Sequence, residues 1–198
     1  MKKITLYFLL VTSLLSACKQ KNKTEHKTKQ VLQEKNLDFS KTLKDDKISF
    51  KLFSKNNHSL NKLIIVISID GMTSFEKEFE IDGTIVDAEI ADLDNDRNSE
   101  LYVYSNSTGS GSYGNVLAIG INNNDIEQII FPQINDSIKI GYMGHDLFRV
   151  NGNELIQVFP IYKNEDTNAK PTGGNRIVKY KLDNNLKSLV MVSFKDEE

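Results

Sequence analysis

The chain has 198 residues, a formal net charge of −2, 39% hydrophobic residues, no tryptophan and one cysteine, Cys18. A single cysteine excludes an intramolecular disulfide and any metal site built from several cysteines. Between Lys47 and Glu198, 15 basic and 22 acidic residues give a net charge of about −7, which argues against nucleic acid or an anionic membrane surface as the main partner.

The N-terminus has the order of a bacterial lipoprotein signal. Two lysines, at positions 2 and 3, precede an apolar run at 4–15, and Leu15-Ser16-Ala17-Cys18 then resembles a lipobox. The run is too short to indicate a membrane span. We therefore expect residues 1–17 to be a signal peptide and Cys18 to carry a lipid such as palmitate, anchoring a periplasm-facing protein of the cell envelope. A cleaved signal with an incidental cysteine is the alternative.

Residues 18–46 differ in composition from the rest of the chain. Lys, Gln, Asn, Thr and Glu dominate there, and apolar residues are few. So little apolar surface cannot offset the entropy of ordering, although residues 28–35 could form a short, marginal helix. The sequence predicts a disordered polar tether that begins at the lipidated cysteine.

Residues 47–198 have the length of one domain with a single core. Apolar residues alternate with polar ones, and Gly, Asn and Asp clusters separate the runs, with hairpin-type turns at Asp82-Gly83 and Asn151-Gly152. This pattern predicts an all-β domain, an antiparallel β-sandwich or partly closed barrel. The predicted strands are 48–53, 62–69, 75–81, 84–90, 100–105, 115–121, 126–131, 146–150, 154–162, 176–182 and 189–194.

An Asp-rich turn lies between the fourth and fifth predicted strands. Its acidic residues occupy positions one, three, five and nine, as in a compact calcium loop: Asp92, Asp94, Asp96 and Glu100. Arg97 stands where such loops usually need glycine, and Val103 stands where a twelve-residue loop needs an acidic residue. The pattern leaves calcium binding open beside an ordinary Asp/Asn-rich turn, and no other cofactor is indicated.

The segment Gly109-Ser110-Gly111-Ser112-Tyr113-Gly114 lies between two predicted strands. It matches the dinucleotide fingerprint in letters, but that motif must open a helix, and here the chain continues into the apolar strand 115–121. Its glycines allow a tight turn with positive φ. We expect Ser110, Ser112 and Tyr113 to be presented outward, whereas pattern alone fits a flexible hairpin loop.

His145 is the only histidine inside a patterned segment. A hydrolase built from Ser112, His145 and Asp146 stays open, although adjacent histidine and aspartate side chains point poorly at each other on a strand. A structural, hydrogen-bonding role for His145 is the favoured interpretation.

Four pieces of the chain, taken in order, resemble the periplasmic inhibitors of invertebrate-type (I-type) lysozyme. They are 88–94 leading to 100–104, 109–115, 141–146, and 159–163 with 166–174. The family's Asp-rich turn usually has glycine and then proline before the glutamate, whereas this chain has Arg97 and Ser99.

The resemblance implies a β-sandwich that inhibits I-type lysozyme, a role in bacterial defence, by inserting the loop Ser110, Gly111, Ser112 and Tyr113 into the active-site cleft. Such a protein needs no turnover, so we expect a non-enzyme. A second interface region at 142–145 or 172–174 is a further expectation, and a homodimer stays open. The alternative function is a non-inhibitory envelope binding module that uses the Asp92–Glu100 turn for calcium-dependent contacts.

Overall fold

The computed structural model of the chain describes residues 38–122 and 125–198. The predicted signal peptide at 1–17, Cys18 and most of the predicted tether lie outside the described residues. Within the described ranges every regular element is a β-strand, and no helix there has the length and apolarity needed to cross a membrane.

The described residues form twelve strands. Their bounds are β1 Phe39–Lys44, β2 Ile48–Ser54, β3 Leu60–Ile69, β4 Met72–Asp82, β5 Thr84–Ala91, β6 Glu100–Asn106, β7 Gly114–Asn122, β8 Asp125–Ile129, β9 Leu147–Asn151, β10 Glu154–Pro160, β11 Asn175–Asp183 and β12 Ser188–Glu197. The eleven predicted strands correspond to β2 through β12.

The strands make three antiparallel sheets of four strands each. We name them sheet I (β1-β2-β3-β4), sheet II (β5-β6-β7-β8) and sheet III (β12-β11-β10-β9), in order of strand pairing. Each sheet uses strands that are consecutive in sequence. Consecutive antiparallel pairing needs only short connections, which agrees with the regular spacing of turn residues in the sequence.

Sheet II contributes to two hydrophobic cores, one on each face, so the single core expected from the length of the domain is wrong. On β6, Leu101 and Val103 join the core shared with sheet I, whereas Tyr102 and Tyr104 join the core shared with sheet III. Because side chains alternate across a strand, β6 is buried from Glu100 to Ser105. The predicted all-β antiparallel sandwich is confirmed, and none of the three sheets described closes into a barrel.

The first strand lies before the domain boundary that the sequence placed at Lys47. β1 pairs antiparallel with β2 in a register that begins at Phe39 opposite Ser54. Phe39 and Leu43 are half-buried and pack against the core between sheets I and II. With only two apolar side chains among lysines, an edge strand of this kind has the composition of a polar linker.

The predicted hairpin turn at Asp82-Gly83 is wrong, whereas the one at Asn151-Gly152 is confirmed by the pairing of β9 with β10. β4 pairs with β3 and β5 pairs with β6, so Asp82-Gly83 carries the chain from sheet I to sheet II. Gly83 has φ +93°, and a Cβ atom there would lie 2.1 Å from the Asn106 carbonyl oxygen. The glycine is needed for a close crossing between layers rather than for a hairpin.

Strand β6 separates the two candidate sites. The Asp-rich turn enters β6 at Glu100, and the glycine-rich segment follows its last residue, Asn106. At about 3.3 Å per residue, the seven residues of β6 place the two segments about 20 Å apart.

Candidate functional site

The glycine-rich segment forms a closed loop, residues 107–113, which we call the serine loop. Its base is closed by two hydrogen bonds: the Ser107 N–H donates to the Tyr113 carbonyl (2.9 Å), and the Tyr113 N–H donates to Ser107 Oγ (2.9 Å). Its tip is a tight turn in which the Ser112 N–H donates to the Gly109 carbonyl (3.0 Å), with Ser112 at φ +41°. Hydrogen bonds within residues 107–113 therefore close both the base and the tip of the loop.

A second loop, residues 141–146, packs against the serine loop; we call it the histidine loop. The His145 N–H donates to the Gly111 carbonyl at 2.7 Å. Gly144 has φ +89°, and a Cβ atom there would lie 2.0 Å from the same carbonyl oxygen. The two backbones therefore touch at a distance that only glycine permits.

A third loop, residues 163–172, reaches the tip from between β10 and β11; we call it the strap. The Asn168 side-chain Nδ2 donates to the Ser110 carbonyl at 2.6 Å, and its Oδ1 lies 3.3 Å from His145 Nε2. Tyr162, just before the strap, donates its hydroxyl to the Asn168 carbonyl at 3.0 Å. The serine loop is thus held by two neighbouring loops and is not the freely flexible hairpin that pattern alone would allow.

The side chains of the serine loop are left for contacts outside the molecule. Ser110 is exposed, Tyr113 is 49% exposed and Ser112 is half-buried. No hydrogen bond between described residues uses the hydroxyl of Ser110, Ser112 or Tyr113. A Cβ atom at Gly111 would meet the Tyr113 ring at 2.6 Å. Ser110 and Tyr113 therefore match the predicted outward presentation, and Ser112 is more recessed.

Aromatic contacts connect the serine loop to the core. The Tyr113 ring packs edge-on against Tyr142, with centroids 5.6 Å apart, and Tyr142 packs edge-on against the fully buried Phe159 at 4.7 Å. Edge-to-face pairs at these separations are favourable beyond their burial of area. The half-exposed Tyr113 ring is therefore seated on a fixed aromatic base.

Asp146 is the polar centre beneath the loops and is only 2% exposed. Its carboxylate accepts hydrogen bonds from the Gly114 N–H (2.7 Å), the Tyr142 hydroxyl (2.7 Å) and Gln157 Nε2 (2.6 Å). Gln157 in turn accepts from the Tyr180 hydroxyl at 2.6 Å. Burial raises the pKa of Asp146, and the three donors oppose that rise. The network runs from sheet III to the end of the serine loop.

The structure brings Ser112, His145 and Asp146 into neighbouring loops but does not join them as a hydrolase triad. The His145 ring faces Asn168, and the Asp146 carboxylate is occupied by the three donors named above. A nucleophile needs its base within hydrogen-bonding reach, and no such bond links these side chains in the described residues. The structure shows a hydrogen-bonding role for His145, as favoured from the sequence.

The Asp-rich turn, residues 92–100, gathers its four carboxylates. One oxygen from each residue lies within 4.8 Å of the others: Asp92, Asp94, Asp96 and Glu100. Backbone N–H groups hold the turn, since Asp92 accepts from both Asp96 (3.0 Å) and Arg97 (2.9 Å). Hard cations such as Ca²⁺ bind clusters of this donor type.

Two details bear on whether the turn fits a cation. Arg97 adopts φ +73°, a conformation that favours glycine, so its backbone is strained there. Burial raises the pKa of Glu100 to about 7, with the charges of Asp94 and Asp92 adding to the rise. Asp94, Asp96 and Glu100 also line a cleft of about 520 Å³, together with Lys187.

Part of the chain is similar to a known protein family. Residues 71–140 match the family model described as periplasmic lysozyme inhibitor of I-type lysozyme. The family resemblance is confirmed. The matched stretch runs from β4 to the segment before the histidine loop, so it includes the Asp-rich turn and the whole serine loop. No curated protein matches the chain.

The contacts of Asn168 and Gly144 with the serine loop were not predicted from the sequence. Both residues lie in pieces that carried the family resemblance, and the glycine stands directly before His145. A Gly-His pair and an Asn in a polar loop are compatible with ordinary turns, so the pattern did not indicate that they meet the serine loop.

Proposed function

We propose that this protein is a lipid-anchored envelope inhibitor of I-type lysozyme that inserts the serine loop into the enzyme's active-site cleft. The family match supports inhibition of lysozyme in general. The observation that supports this mechanism is that the backbone and the side chains of the loop have different roles. Its backbone carbonyls are held by neighbouring loops, while the hydroxyls of Ser110, Ser112 and Tyr113 have no partner among the described residues.

The chemistry of the target suits such a loop. Lysozyme-type glycosidases use two carboxyl groups, one protonated as the acid and one ionised. A serine hydroxyl can accept a hydrogen bond from the first and donate one to the second. Ser110 stands at the exposed tip and Ser112 is recessed behind it. We infer that Ser110 enters deepest and that Ser112 engages the nearer carboxyl.

Tyr113 supplies the apolar part of the contact. About half of its surface is exposed, and the ring rests on Tyr142. A tyrosine fixed in this way loses little side-chain entropy when it binds, which makes it a strong interface anchor. The net charge of about −7 between Lys47 and Glu198 would speed association with a basic enzyme.

The decisive experiment measures inhibition of cell-wall lysis by an I-type lysozyme. A fragment spanning residues 36–198 contains β1 and should inhibit at about one molecule per enzyme, and Ser110→Ala with Tyr113→Ala should weaken binding by several kcal/mol. Met72→Ala with Ser74→Ala is the matched control, because both residues are exposed on β4 in sheet I. If the folded protein inhibits no I-type lysozyme, the proposal is wrong.

Anchoring through Cys18 is tested separately. Wild-type protein should partition with the membrane fraction and incorporate labelled palmitate. Cys18→Ser should incorporate no label, because the lipid is attached through this cysteine. Labelling of the Cys18→Ser protein, or no labelling of wild type, would contradict lipid anchoring.

A calcium-dependent binding module is the second candidate function. The convergence of four carboxylates in the Asp-rich turn favours it, since like charges held this closely repel each other unless protons or a cation intervene. If calcium binds the folded state, the melting temperature rises with added Ca²⁺ and returns with chelator. Asp94→Asn should abolish that rise. An unchanged melting temperature removes this candidate.

A further inference from the structure

Asn168 links three parts of the candidate site through one side chain. Its Nδ2 donates to the Ser110 carbonyl at 2.6 Å, and its Oδ1 lies 3.3 Å from His145 Nε2, where a ring N–H can donate to it. With its oxygen occupied by His145, the amide has its NH₂ group directed at the serine loop. The contact with His145 therefore fixes the orientation of the Asn168 amide as well as its position.

The strap that carries Asn168 is itself braced. Within it, Asp166 accepts hydrogen bonds from the Lys163 N–H (2.7 Å), the Thr172 N–H (2.8 Å) and the Thr172 hydroxyl (2.8 Å). The bond from the Lys163 N–H is the main cause that lowers the pKa of Asp166 below its usual range. The Tyr162 hydroxyl adds a bond to the Asn168 carbonyl. The amide therefore reaches the serine loop from a fixed platform.

The backbone around Ser110 has little else to restrict its conformation. Ser110 stands between two glycines, and a Cβ atom at Gly109 would meet nothing within 4 Å. Residues without packing constraints lose conformational entropy when a partner orders them, and that loss weakens binding. A hydrogen bond to the backbone of Ser110 removes part of this loss before the partner arrives.

We propose that Asn168 is a positioning residue of the inhibitory loop: it holds the Ser110 backbone in the conformation that enters the enzyme and acts through Ser110 rather than by its own contact. This inference rests on the proposed function. It gives Asn168 a role in the inhibitory site; the family match ends at residue 140, and the sequence pattern assigned this residue no role.

The test compares Asn168→Asp and Asn168→Ala with wild type in the purified protein. Aspartate keeps the shape and the acceptor for His145 but replaces the donor facing Ser110 with an oxygen, and alanine removes both groups without adding charge. Losing one hydrogen bond and its ordering effect predicts inhibition weakened about tenfold in both variants. Asn153→Asp is the charge-matched control, because Asn153 is exposed in the β9–β10 turn; it should inhibit like wild type.

Amide hydrogen exchange without lysozyme separates positioning from a general structural role. In both Asn168 variants, exchange should accelerate at Ser112 and Tyr113, whose N–H groups are hydrogen-bonded within the loop, while the strands of sheet III keep wild-type rates and the melting temperature falls by no more than about 4 °C. Wild-type inhibition by both variants, or unchanged exchange in the loop, would overturn the proposal. If wild type itself inhibits no I-type lysozyme, the proposed function fails, and the exchange data still decide whether Asn168 orders the loop.

Discussion

The contact between the histidine loop and the serine loop makes a quantitative prediction for Gly144→Ala. Gly144 has φ +89°, and a Cβ atom there would lie 2.0 Å from the Gly111 carbonyl oxygen. Gly152, in the β9–β10 turn, also has positive φ (+61°), but a Cβ atom there would meet nothing within 4 Å. Gly152→Ala is therefore a matched control that shares the backbone strain and lacks the clash.

The expected magnitudes follow from these two geometries. Placing an L-residue at positive φ costs about 1–2 kcal/mol at either site. At Gly144 the carbonyl of Gly111 must also move by about 1 Å, which breaks its bond from the His145 N–H and costs about 1 kcal/mol more. We expect about 2–3 kcal/mol for Gly144→Ala, a fall in melting temperature of about 4–12 °C, against about 1–2 kcal/mol and about 2–8 °C for Gly152→Ala.

Two assays decide the outcome. Thermal unfolding followed by circular dichroism gives the stabilities, and titration against I-type lysozyme at 25 °C, where both variants are folded, gives the inhibition. Gly144→Ala should inhibit at least tenfold more weakly than wild type, because Gly111 lies at the loop tip, whereas Gly152→Ala should inhibit normally. Equal behaviour of the two variants in both assays would refute the argument that close backbone contact shapes the loop.

Three further predictions concern the supports of the fold and loop. Arg176 is 7% exposed, forms a bidentate ion pair with Asp196 and donates hydrogen bonds to the Ile138 and Ile140 carbonyls. Because an ammonium group cannot reach all of these acceptors, Arg176→Lys should lower the free energy of unfolding, measured in urea, by about 2 kcal/mol. Arg176 lowers the pKa of Asp196 below its unfolded-state value of about 4. The stability that this ion pair contributes is therefore present above a pH of about 4 and is lost as the pH falls through the lower pKa of the folded state. Asp196→Asn should flatten the dependence of stability on pH in that acidic range. Tyr142→Phe removes the hydroxyl donor to Asp146 and should cost about 1–2 kcal/mol in the same urea assay.

Much of the fold could be predicted from the sequence because alternation and turn residues are local signals. All strands from β2 to β12 were found, with ends displaced by a few residues. β1 was missed because its two core-facing residues, Phe39 and Leu43, stand among lysines in a polar stretch. The assignment of Asp82-Gly83 to a hairpin was wrong because the same two residues suit any sharp change of direction, and only tertiary pairing shows that the chain changes sheets there.

The site was predictable only in part, for a related reason. The serine loop has its own signal in Gly109 and Gly111 between two strands. Its contacts with His145 and Asn168 come from loops about 30 and 60 residues further along the chain. No period or local motif encodes such a meeting. Only the resemblance of segments 141–146 and 166–174 to the inhibitor family indicated these two loops, and it did not predict which of their atoms contact the serine loop.

Competition with an oligosaccharide fragment of the cell-wall substrate tests the central claim most directly. If the serine loop occupies the active-site cleft, the apparent Kd of the protein for I-type lysozyme should rise in proportion to the oligosaccharide concentration once the cleft begins to saturate. Ser110→Ala with Tyr113→Ala should bind weakly at every concentration. A Kd that stays constant at saturating oligosaccharide, with a ternary complex of enzyme, sugar and inhibitor, would contradict insertion into the cleft.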